Sequence, residues 1–109
     1  KINSSTELQD EIVRFLSSKL YDTFELDDLC TSLHYGKTYL CTFFREKTGM
    51  SIYQTYLRLK VDEAKKLIRQ KYTFTEVAGR LCFDSLSHFN FVFKRYTGMT
   101  PGEYKASIK

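Results

Sequence analysis

Apolar residues recur along this chain at i, i+3, i+4 and i+7, and they do so twice in the same order. Leu26, Leu29, Cys30 and Leu33 make one stripe, and Phe74, Val77, Ala78 and Leu81 make its copy, offset by 48. A second stripe follows each of these: Leu40, Phe43 and Phe44, then Phe89, Val92 and Phe93, offset by 49. This spacing lines up one face of an α-helix. The change of offset places one extra residue in the second copy, in the turn Asp84-Ser85. Both copies run on into Thr-Gly-Met, at 48–50 and 97–99. There a glycine can take the left-handed conformation that ends a helix. Ser51 and Thr100 stand ready as N-caps of the next helix, with Pro101 at its first position.

The pattern predicts seven helices and no sheet. The first, over about 5–20, carries Leu8, Ile12, Phe15, Leu16 and Leu20 behind a capping box Ser4-x-x-Glu7. A long helix over 52–69 separates the two copies, with Leu57, Val61, Ala64 and Ile68 as its core face. A short helix over 101–107 closes the chain through Tyr104. The second copy starts with the capping box Thr73-x-x-Glu76, and the first with the weaker Glu25-x-x-Asp28. His88 to Phe93 alternates polar and apolar as a strand would, but the matching segment 39–44 does not. The helical reading therefore holds, and it leaves Phe91 apolar on an outward face. The class is all-α: two helix-turn-helix subdomains, 1–51 and 70–109, joined by the linker helix 52–69.

Composition limits what such a chain can be. With 109 residues it makes one small domain, and its 17 aromatic residues supply much of the core. No apolar run approaches the ~20 residues of a membrane span. No secretory signal opens the chain, so a cytoplasmic protein with no membrane contact is expected. Lys1 rather than Met stands first, which suggests a piece of a longer chain. The net charge is only +4, but residues 1–28 hold 3 basic and 7 acidic side chains while 29–109 hold 14 and 6. An acidic first element followed by a basic body suits a polyanion on one side only. Cys30, Cys41 and Cys82 fall in no metal-ligand spacing and suit a reducing compartment. Cys30 and Cys82 read as small buried residues, and Cys41 as an accessible thiol. No metal or cofactor site is expected.

A helix-turn-helix sets its second helix in the DNA major groove. The outward positions of the first unit are Lys37, Thr38, Cys41, Thr42 and Arg45. Those of the second are Ser85, Leu86, Ser87, Asn90, Phe91, Lys94 and Arg95. Thr, Ser and above all Asn can read base edges, and Phe91 or Leu86 can pack on a thymine methyl. Lys37, Arg45, Lys94 and Arg95 suit phosphate, which sets affinity and register.

Three segments carry a family resemblance: Phe74-Thr-Glu-Val-Ala, Phe83-Asp-Ser-Leu-Ser-His-Phe, and Phe93-Lys-Arg-Tyr-Thr-Gly-Met-Thr-Pro-Gly-Glu-Tyr-Lys105. In order and spacing the chain, over about 5–107, resembles the DNA-binding domain of AraC/XylS-type bacterial transcription regulators. The resemblance implies two helix-turn-helix units on a long helix and sequence-specific binding of double-stranded DNA. It implies activation of transcription through contact with RNA polymerase. It also implies a separate effector-binding or receiver domain elsewhere in the parent chain. The chain departs from the family pattern at Cys82, where glycine is usual, and at Thr42 and Phe91, where arginine is common. Lys60 and Thr55 replace a usual Arg and a usual aromatic residue in the linker helix.

Two other functions compete. Phe91, Tyr39 and Tyr53 are candidate anchors of a protein-interaction module. Catalysis has little support, because His34 and His88 occupy equivalent stretches of the repeat rather than one pocket. No nucleophile–base order, carboxylate pair or phosphate loop accompanies them.

Overall fold

The computed structural model describes residues 5–108. Seven helices follow one another: α1 (Ser5–Ser17), α2 (Leu26–Leu33), α3 (Lys37–Thr48), α4 (Ile52–Arg69), α5 (Phe74–Arg80), α6 (Leu86–Thr97) and α7 (Pro101–Ser107). No strand occurs among the described residues. The molecule is elongated, 48 × 21 × 21 Å. Ser4, the expected cap of α1, lies outside the described residues. The end of α1 comes earlier than the expected position 20. Ser18 Oγ donates to the Phe15 carbonyl at 2.7 Å, and the chain turns there. Leu20 then packs against both cores.

Two cores lie along the long axis. Leu8, Ile12 and Leu16 of α1, Leu29 of α2, Leu40 and Phe44 of α3, and Ile52 and Tyr56 of α4 form the first. Val61, Ala64, Leu67 and Ile68 of α4 meet Val77, Ala78, Leu81, Phe89, Val92 and Phe93 in the second. The linker helix therefore carries two apolar stripes, one toward each end. The sequence reading found only the stripe of the second core. The other runs Ile52, Tyr56, Lys60 at i, i+4, i+8, and its last member is a lysine only 4% exposed.

Lys60 is buried because it has work at the junction. Its amine donates to the Leu81 carbonyl and, at 3.2 Å, to the Asp22 carbonyl. It also stands over the rings of Tyr56 and Phe83, at 4.7 and 5.5 Å. Burial pushes its pKa below the usual lysine value. The Tyr56 hydroxyl lies 2.8 Å from both the Lys19 and Asp22 carbonyls. These bonds tie the turn after α1 to α4 and to the turn of the second unit.

The twin turns match in detail. His34 (φ 62°) and Cys82 (φ 59°) are both left-handed, at equivalent positions of the repeat. Beyond them, Tyr35 N–H donates to the Cys30 carbonyl at 3.2 Å and Phe83 N–H to the Ala78 carbonyl at 3.0 Å. Those bonds satisfy carbonyls that the helix ends leave open. A side chain at such a φ costs up to ~1–2 kcal/mol, so both turns are strained where glycine would fit. Thr48 donates to the Phe44 carbonyl at 2.9 Å, and Thr97 to the Phe93 carbonyl at 2.8 Å. Gly49 (φ 79°) and Gly98 (φ 83°) follow, and capping boxes Ser51–Gln54 and Thr100–Glu103 start α4 and α7.

The cysteine expectations need correction, since Cys30 is half-buried rather than buried. Cys82 is exposed rather than buried. Its left-handed backbone lifts the side chain out of the core, leaving Sγ 3.6 Å from the Tyr21 carbonyl oxygen.

Candidate nucleic-acid interface

The second helix of each unit buries one stripe and shows another, as the spacing requires. In α3 Leu40 and Phe44 are buried, while Lys37, Thr38, Thr42 and Arg45 are exposed. In α6 Phe89, Val92 and Phe93 are buried, while Leu86, Ser87, Asn90, Phe91, Lys94 and Arg95 are exposed, with Ser85 just before them. Cys41 is the exception: it is half-buried against the first core. At 100° per residue it sits at the edge of the buried stripe. There Phe24, Ile52 and Tyr53 line a hollow of about 290 Å³ with Cys41 and Arg45. The outward thiol expected from the sequence is thus partly covered.

The two exposed stripes differ in chemistry. In the first, Lys37 is paired with Asp27 of α2 at 3.4 Å. Both side chains are well exposed, so the pair adds little stability and yields readily to a phosphate. Thr38, Thr42 and Arg45 complete a polar surface. In the second, Phe91 is 65% and Leu86 41% exposed. Phe91, Lys94 and Arg95 line a shallow hollow of about 180 Å³. An apolar ring flanked by two cations suits a base methyl beside a sugar-phosphate backbone. No ion pair to Arg45, Lys94 or Arg95 occurs among the described residues. Ser85 caps α6 by accepting the His88 N–H at 3.0 Å.

Tyr53 and Phe24 connect the two units along one surface. Both line the hollow beside Cys41 and Arg45, and both line a second one of about 160 Å³ reaching Cys82, Asp84 and His88 at the start of α6. His88 packs edge-on against Phe83 with centroids 5.5 Å apart, and its Nδ1 lies 4.0 Å from Asp84. His34 stands in the turn after α2 and His88 in the first turn of α6. Among the described residues no group of His, Cys, Asp and Glu is placed to hold a metal. No described helix is long and apolar enough to cross a membrane.

Twin helix pairs with exposed second helices define a double helix-turn-helix domain. A family model described as a helix-turn-helix domain matches residues 29–107. The chain belongs to this AraC-type helix-turn-helix family of DNA-binding transcription regulators. It is 30% identical over 103 residues to the HTH-type transcriptional activator RhaR of Escherichia coli (strain K12). That match covers 94% of this chain and 36% of RhaR, so the chain spans about a third of the length of the curated relatives it matches. Among solved structures it is similar to the DNA-binding domain of AdpA in complex with a target DNA. There the TM-score is 0.81 and the identity 27%, over 91% of this chain and 90% of that one. An AraC-type regulator from Chromobacterium violaceum shares the fold with a TM-score of 0.88 at 20% identity, over 96% of each chain.

Proposed function

We propose that this chain binds one face of a DNA duplex with α3 and α6 in successive major grooves. The reading helices would bring Lys37, Thr38, Cys41, Thr42 and Arg45 to one groove and Ser85, Leu86, Ser87, Asn90, Phe91, Lys94 and Arg95 to the next. The observation that carries this reading is the exposure of two equivalent stripes, each held by its own core at one end of α4. The 18 residues of α4 make a rod of about 27 Å at ~1.5 Å per residue. Successive major grooves on one face lie ~34 Å apart. With a unit extending past each end of the rod, the 48 Å molecule is long enough to meet both. The DNA complex of the similar AdpA domain supports the same partner.

In the longer protein this domain would set the address of a cytoplasmic regulator. Activation through RNA polymerase and control by an effector or receiver domain complete the reading. RhaR, similar over this region, is named an activator. The protein-interaction reading draws on Tyr39 and Tyr53, 53% and 54% exposed. It is the weaker one, because Phe91 lies between cations on a reading stripe rather than with those tyrosines.

Titration of a selected duplex at several salt concentrations tests the proposal. Affinity should fall steeply with salt, and Lys94→Ala should reduce that slope by about 1 with little change in sequence preference. Asn90→Ala should relax discrimination at one base pair by ~1–3 kcal/mol. Equal weakening on every sequence would remove Asn90 from the readers, and salt-independent binding would remove the duplex as partner.

A further inference from the structure

A sizeable hollow lies away from the reading side. It has a volume of about 530 Å³ and lies where the end of α4, the start of α5 and α7 meet. Ile68, Phe74, Ala106 and Ile108 supply an apolar lining, and Arg69, Lys71 and Lys105 add three cations. Among the described residues no carboxylate lines it. Small-molecule sites are typically ~300–1,000 Å³, mostly apolar, with a few convergent polar groups. This groove meets that description, with all of its charge of one sign.

Two of the cations are held by neighbours. The Arg69 guanidinium donates to the Tyr104 hydroxyl at 2.6 Å, and the Lys105 amine stands 5.7 Å from the Phe74 ring centre. The third has an unusual backbone. Lys71 has φ 77° and occupies the turn after α4, where Tyr72 N–H donates back to the Leu67 carbonyl at 3.2 Å. Glycine is the usual residue at such a position. The chain carries a strained lysine there, at the rim of an apolar hollow whose described lining holds no counter-charge.

We infer that this groove binds a small amphipathic anion, a carboxylate with an apolar body. The body lies on Ile68, Phe74 and Ile108, and the carboxylate meets Lys71, Arg69 and Lys105. A charge-assisted contact of this kind is worth more than a neutral one, so the charge of the ligand decides its affinity. The site lies behind the second reading helix. Tyr104 of α7 packs on Phe93 of the buried stripe of α6, with ring centres 5.7 Å apart. The core thus separates the groove from the face that reads DNA.

The test is an amide NMR titration of the 109-residue chain with decanoate below its micelle concentration, with 1-decanol as the uncharged control. Saturable shifts should gather in residues 68–74 and 102–108. Decanol should bind at least about tenfold more weakly. Lys71→Gly is the decisive variant, because glycine relieves the strained backbone and keeps the fold. It should weaken decanoate by about tenfold without lowering thermal stability, and Lys105→Gln should act in the same direction. Scattered or unsaturable shifts would overturn the inference, as would equal binding of decanol or an unaffected Lys71→Gly. Equally tight capture of inorganic phosphate at the same residues would make the groove a plain phosphate contact and also overturn it. The inference does not depend on DNA binding, so failure here leaves the reading helices untouched.

Discussion

In the first unit Thr48 closes α3 on Phe44 and Gly49 turns the chain; in the second Thr97 closes α6 on Phe93 and Gly98 does the same. His34 and Cys82 hold the same left-handed turn. The turns and the spacing of the buried stripes are copied, and the shown half is not. The first stripe offers Thr38, Thr42 and Arg45, the second Leu86, Asn90 and Phe91. The capping also differs. Side-chain bonds cap α5 and α6 through Thr73 and Ser85, while Glu25 and Gly36 give α2 and α3 none. Packing and turns fix where a reading helix stands. What it reads is left to residues that touch nothing inside.

The largest effects should come from breaking one core at a time. Phe44 and Phe93 are both fully buried, and each Phe→Ala change should cost ~3–5 kcal/mol. Native-state hydrogen exchange should show protection lost first in α1–α3 for Phe44→Ala and in α5–α7 for Phe93→Ala. Identical losses along the whole chain would mean one cooperative core rather than two.

A smaller effect sits at the junction and depends on pH. Burial is the main cause that raises the Tyr56 hydroxyl from 10.0 to about 12. A tyrosine with a raised folded pKa contributes stability that is fully present below pH 10 and is lost as pH rises toward 12. Lys60 has the opposite sign. Its lowered folded pKa makes stability rise with pH between that value and 10.5, and no further. Above pH 10.5 the tyrosine loss stands alone, on the order of 2 kcal/mol by pH 12. Urea titrations from pH 9 to 12 should show that decline, and Tyr56→Phe should flatten it. Tyr21, also raised to about 12 through burial and its bond to Glu63, supplies part of what remains.

The smallest effects compare the twin turns. His34→Gly and Cys82→Gly should each relieve a left-handed side chain and stabilise by ~0.5–1 kcal/mol, net of the freedom glycine gains when unfolded. Cys82→Gly should gain less, because it gives up the thiol contact with the Tyr21 carbonyl. Thermal melts of both variants would decide this, and a lower midpoint for His34→Gly would show the turn is not strained.

Much of this was legible in the sequence, for a physical reason. The repeat at 48 and 49 residues fixed both stripes of both units, and Thr-Gly-Met marked each helix end. The junction was harder to read. A lysine on a long helix looks like solvated surface, and Lys60 becomes a buried clamp only through carbonyls of Asp22 and Leu81, remote in sequence. Spacing gave one clue, since Ile52, Tyr56 and Lys60 share a face. Cys41 and Cys82 were misplaced because helical angle alone ignores what closes over a stripe edge and where a left-handed turn lifts its side chain. The groove beneath α7 left no trace in periodicity, since two stretches remote in sequence, 68–74 and 102–108, build it.

Binding-site selection from random duplexes, repeated with Thr42→Ala and with Asn90→Ala, tests the two-groove account most directly. The intact chain should select an asymmetric site. Each variant should alter preferences in one half only, with the two altered patches about one helical turn, ~10 base pairs, apart. Variants that change the same base pairs, or a site spanning a single groove, would contradict it.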